Sequence, residues 1–76
     1  MAHLQREEVA ELFAIAALEL EKAAQHFRIA AEHFRNGEVP RGCAHAFAAQ
    51  GHLRQADETN GHASTIHAAH ALLTTG

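Results

Sequence analysis

A chain of 76 residues with a formal charge of −3 and one cysteine has room for a single domain that no internal disulfide can staple. A domain of this size buries only about 60% of the surface its unfolded chain exposes, so a partner chain or a metal is needed to complete it. Six Lys and Arg against nine Asp and Glu argue against a nucleic-acid backbone as the main partner.

The first predicted element is a helix over about residues 4–36. Its opening, MAHLQREEV, is charged and helix-like rather than a secretion signal. The apolar run from Val9 to Leu20 carries Glu11 and Glu19 and is too short to span a bilayer, so a soluble cytoplasmic protein is expected. Phe13, Leu20, Phe27 and Phe34 recur every seven residues. Counting them as heptad position a, position d reads Val9, Ala16, Ala23, Ala30 and position e reads Ala10, Ala17, Ala24, Ala31. One bulky and two small residues every two turns describe a helix built for close approach to other helices. Glu7, Glu8 and Glu11 suit its N-terminal end, Arg28 and Arg35 its C-terminal end. Ala14, Ile15, Leu18 and Ile29 fall outside the a/d/e face, which leaves the middle of the helix apolar on nearly every side. Such a helix is buried on more than one side, and these four residues form a candidate partner-binding patch.

A turn follows at 37–39. Gly37 suits the left-handed position after a helix, and Val39 before Pro40 is pushed out of the helical region. Pro40 then opens a second helix of about 40–73, because its missing N–H has no intrahelical partner in a first turn. That helix carries a small-residue seam of Gly42, Ala46, Ala49, Leu53, Ala56 and Ala63, flanked by Cys43 and Phe47. Asn60-Gly61 is a turn signal, but the apolar phase continues through it to Ala63, Ile66 and Leu73, which favours one long helix, kinked at Gly61. Thr74-Thr75-Gly76 reads as a frayed end.

The fold expected is one all-α domain over 1–76, an antiparallel helical hairpin that dimerises into a four-helix bundle about a two-fold axis. Phe13, Leu20, Phe27, Phe34, Phe47 and Leu53 are its core and interface residues.

Chemistry-bearing residues are sparse apart from eight histidines. If the hairpin folds about residue 39, facing residues sum to 78, which sets His26 level with His52, His33 with His45, His67 with Glu11 and His70 with Glu8. Facing helices assemble metal sites in this way, so His26, His33, His45 and His52 form one alternative ligand set and Glu8, Glu11, His67 and His70 another. Against this, His26 and His33 sit at heptad position g, beside the core, and no Cys-x-x-Cys, His-Glu-x-x-His or paired Glu-x-x-His motif is present. The preferred reading makes the histidines amphipathic flank residues, with no metal or cofactor. Ser64 is the only serine, and Cys43 has no base placed to activate it, so the chain is not expected to be an enzyme. Arg28, Arg35, Arg41 and Arg54 gather toward the turn end and could give a dimer a basic patch, but Glu32, Glu38 and Asp57 dilute it. The functional expectation is a small, non-enzymatic protein–protein interaction module that pairs with itself and binds another protein. A histidine-rich metal-binding bundle and a dimeric nucleic-acid-binding regulator are the alternatives.

Overall fold

The computed structural model describes residues 3–71, with side chains from residue 5 onward. Two helices, α1 (His3–Arg35) and α2 (Val39–His70), lie antiparallel as a hairpin about 55 Å long and 14 Å thick. The bounds of α1 lie within one residue of the expected 4–36, and α2 starts one residue before the expected Pro40, with Val39 helical rather than held outside the helix by the following proline. At the far end α2 stops at His70 rather than near 73, and Ala71 turns to an extended backbone (φ −74°, ψ 141°). The predicted fraying of residues 74–76 lies outside the described residues.

The connection is a Schellman motif, in which a left-handed residue after the helix lets two later amides cap its last free carbonyls. The Glu38 amide donates to the His33 carbonyl at 2.8 Å and the Gly37 amide to the Phe34 carbonyl at 3.1 Å, with Gly37 at φ +76°. A side chain at Gly37 would be strained in that region, which is why glycine belongs there. Pro40 lies in the first turn of α2, and the Gly42 amide makes an early intrahelical bond, to the Glu38 carbonyl at 3.0 Å.

Asn60-Gly61 does not break α2, which runs unbroken from Val39 to His70. The hydroxyls of Ser64 and Thr65 donate to the Gly61 carbonyl at 2.8 and 2.9 Å, and that of Thr59 to the Gln55 carbonyl. Turn-forming side chains are thereby satisfied inside the helix instead of competing with it.

The seam between the helices consists of small residues. Ala23 and Ala30 on α1, and Gly42, Ala49, Ala56 and Ala63 on α2, are the buried residues, each set at seven-residue steps. Alanine lets two helices approach closely and contributes little apolar area, so the seam gives register more than burial free energy. At the turn end the approach is tightest: a Cβ on Gly42 would lie 3.2 Å from the Ala30 carbonyl oxygen and would collide with the Phe34 ring.

The large apolar side chains therefore stay outside. Phe13, Leu20, Phe27 and Phe34 are each about half exposed, and no large side chain is fully buried among the described residues. The radius of gyration is 17.2 Å, against about 11 Å for a compact globule of this length.

Candidate functional site

A heptad with alanine at the seam divides the hairpin into two flanks. On one side of the seam α1 places Phe13, Leu20, Phe27 and Phe34. On the other side, also at seven-residue steps, it places Leu12, Glu19, His26 and His33. Helix α2 does the same: Ala46, Leu53, Asn60 and His67 fall on the first flank, and His45, His52, Thr59 and Ile66 on the second. Two shallow grooves confirm the first flank. Leu20 and Leu53 line one with Ala16 and Ala56, and Phe13 lines the other with Val9, Ala63 and His67.

The first flank is an apolar ridge. The side chains at position a repeat every seven residues over 21 residues, a line about 30 Å long. Beside them runs the row Ala10, Ala17, Ala24, Ala31, exposed to half-buried. Large knobs thus alternate with small-residue hollows along one face. Of the expected core and interface residues, Leu53 is half-buried on this flank, whereas Phe47 is 80% exposed and points away from α1. Ala14, Ile15 and Leu18 are exposed on the outer side of α1, and Ile29 is half-buried.

The second flank is a ladder of imidazoles closed at each end by a carboxylate. His52 Nδ1 donates to Glu19 Oε2 at 2.6 Å. The His52 ring stacks on His26 at 5.4 Å between centroids, 16° from parallel. His26 and His45 share a hydrogen bond between their Nδ1 atoms at 3.0 Å. His45 stacks on His33 at 5.4 Å, 18° from parallel, and His33 Nδ1 donates to Glu38 Oε1 at 3.2 Å. Lys22 Nζ lies 3.5 Å from Glu19, and Arg41 Nη1 donates to Glu38 at 3.3 Å, so each terminal carboxylate also holds a cation. The His52 hydrogen bond, opposed in part by desolvation and aided by Lys22, holds the Glu19 carboxyl below its ordinary value.

Pairs summing to 78, His26 with His52 and His33 with His45, do face each other, but as stacked rings. The hydrogen-bonded rungs Glu19–His52, His26–His45 and His33–Glu38 sum to 71. The two sums differ by seven, one heptad step on one helix, because the rings of the two helices interleave along the edge. The levels expected at the open end shift likewise: Glu8 lies 4.0 Å from His62, and His70 accepts a 2.6 Å hydrogen bond from the Gln5 amide.

The terminal carboxylates are the residues that reasoning from spacing missed, and a signal for them is present. Glu19-x6-His26-x6-His33 on α1 repeats as Glu38-x6-His45-x6-His52, which begins at the residue before α2 and runs along it. Two identical runs laid antiparallel put a glutamate at each end and the histidines between, a local two-fold arrangement about the His26–His45 bond.

The four histidines string along the hairpin instead of converging on a point, and among the described residues no three His, Cys, Asp or Glu side chains are grouped to hold a metal ion. Two of the clustered arginines are engaged locally, Arg35 with Glu32 and Arg41 with Glu38. Cys43 is an exposed free thiol, and no described helix is long and apolar enough to cross a membrane. No family model matches the chain, nor does any curated protein or solved structure.

Proposed function

We propose that this chain is a non-enzymatic protein–protein interaction module that works as a homodimer, two hairpins packing their Phe/Leu flanks together into a four-helix bundle. The observation that carries this reading is the position of the large apolar side chains. Every one on the first flank of α1 is half exposed, while the hairpin's own interior is alanine and glycine.

The areas support a second copy of the chain as the occupant. A compact monomer of 8.2 kDa exposes about 4,500 Å², and this hairpin exposes 5636 Å². The excess, about 1,100 Å², is close to the ~800 Å² per partner that a stable dimer interface buries. The shape supports it too. A two-fold axis sets α1 of one copy antiparallel to α1 of the other, and the Phe13, Leu20, Phe27, Phe34 knobs then meet the partner's hollows at Ala10, Ala17, Ala24 and Ala31. Such an isologous interface needs one self-complementary surface, and this flank provides knobs and holes at the same repeat. Ala14, Ile15 and Leu18 stay uncovered in this arrangement and form the face offered to another protein.

Sedimentation equilibrium over a wide concentration range tests the reading. The expected species is twice the chain mass, and Leu20→Glu should return it to the monomer with its helix content retained. A wild-type chain that stays monomeric and folded at the highest concentrations would overturn it.

A further inference from the structure

The imidazole ladder occupies the flank opposite the proposed dimer face, and its geometry has a consequence that does not depend on pairing. The groups facing it are, from α1, Glu19, Lys22, His26 and His33, from the residue just before α2, Glu38, and from α2, Arg41, His45 and His52. Two carboxylates and two permanent cations make this strip neutral while the imidazoles are neutral. It reaches +4 if all four take a proton.

The four positions are not equivalent. His52 and His33 each point Nδ1 at a carboxylate, so a proton on either ring strengthens a bond that already exists. The inner pair differs. His26 and His45 meet Nδ1 to Nδ1, which requires one nitrogen to donate and the other to accept. One added proton leaves that bond intact, because an imidazolium N–H can still donate to a neutral partner. A second proton leaves two donors face to face with no acceptor between them. The inner rings also stack at 5.4 Å on the outer ones, so the new charges face cations across each stack.

We infer that the Glu19–His52–His26–His45–His33–Glu38 ladder is a proton-operated latch, which ties the two helices along one edge at neutral pH and lets go when the inner pair takes its second proton. By this geometry the closed ladder has room for three added protons on its four imidazoles, whereas the same four side chains in the unfolded chain take four in acid, since free histidines titrate near pH 6.5. A difference of one proton lowers the folding equilibrium constant about tenfold per pH unit. The seam beneath, built of alanine, has little burial with which to resist.

Urea unfolding followed by far-ultraviolet circular dichroism at steps from pH 7 to pH 5, at one protein concentration, reads the slope. Wild type should lose about tenfold more of its folding constant per pH unit between pH 6 and 5 than His45→Gln, whose amide can still bond His26 but adds no second proton. His62→Gln, on an exposed histidine outside the ladder, should keep the wild-type slope. Equal slopes in wild type and His45→Gln would overturn the latch. His26→Gln breaks the same pair from the other helix and gives the same reading if His45→Gln does not fold. Wild type alone also tests it: in weak buffer at pH 5.5, unfolding should take up about one proton more per chain than it does at pH 7.5, and no difference would refute the proposal.

Discussion

Ala49→Leu is the sharpest test of the alanine seam. Ala49 is 0% exposed, and Ala23, its counterpart in the opposing heptad, is 1% exposed, so three added carbons have no void to enter. In an ordinary core with spare room, a larger side chain at a buried position adds apolar burial and stabilises, by about 0.8 kcal/mol per methylene. Here the extra volume meets the facing helix itself. The relief available is to move α1 and α2 apart, which loosens the contacts of Ala30, Ala56 and Ala63 together. Overpacking costs about 1–3 kcal/mol where side chains can shift, and the upper part of that range applies where the obstacle is a helix. Against the ~4–11 kcal/mol expected of a domain of this length, a loss near 3 kcal/mol lowers the melting temperature by about 12–24 °C. A thermal melt by circular dichroism reads this directly. Ala14→Leu, at an exposed position of α1 that the proposed dimer leaves uncovered, is the matched comparison and should leave the hairpin's stability within about 0.5 kcal/mol. An Ala49→Leu chain as stable as wild type would show that the helices are not in close apposition, and the seam argument would fall.

Three further outcomes follow from the same geometry. Gly51 and Gly61 both have open space where a Cβ would go and lie inside α2, so Gly51→Ala and Gly61→Ala should each stabilise by roughly 0.5–1 kcal/mol in urea unfolding; Gly42→Ala should instead destabilise, since its Cβ would press on the Phe34 ring and the Ala30 carbonyl. Phe27→Ala removes a ring that is 44% exposed in the single hairpin; with about 90 Å² per copy newly buried on pairing, the loss is ~2 kcal/mol per protomer, and the dimer dissociation constant should rise about 10³-fold by sedimentation while helix content holds. Because the Glu19 carboxyl is held below its ordinary value of 4.5 by His52, its contribution to stability is present above pH 4.5 and lost as the pH falls through the lowered value. Glu19→Gln should therefore lose less stability than wild type between pH 4.5 and pH 3, and an identical acid limb in the two proteins would contradict the Glu19–His52 assignment.

The two flanks bear on each other through the seam. A hairpin whose interior is alanine gains little by closing on itself, so it depends on whatever lies along its edges. On one edge that is the Phe/Leu ridge, which a second copy would cover in the proposed dimer. On the other it is the imidazole ladder, which the proposed latch would hold closed at neutral pH. Acid and dilution are thus expected to weaken the same small structure by separate routes.

The sequence by itself determined the elements. Gly37 and Pro40 specify where α1 stops and α2 starts, because a left-handed residue and a missing amide each act within a few bonds; the pre-proline restriction on Val39 did not keep it out of α2, whose first residue it is. The seven-residue repeats likewise declare which residues share a face, and the continued phase through Asn60-Gly61 revealed that α2 would not break there. What only the tertiary structure decided is which repeat goes inside. Hydrophobicity points to Phe13, Leu20, Phe27 and Phe34, yet the alanines and Gly42 took the seam, because two isolated helices that meet on small residues can approach along their whole length, whereas bulky ones would hold them apart. The ladder needed the tertiary level for a similar reason. Both Glu-x6-His-x6-His runs are written in the chain, but whether rungs fall at a sum of 78 or 71 depends on the relative axial shift of the helices. The close contact of Gly42 with Phe34 and Ala30 near the turn fixes that shift, and no spacing within either helix encodes it.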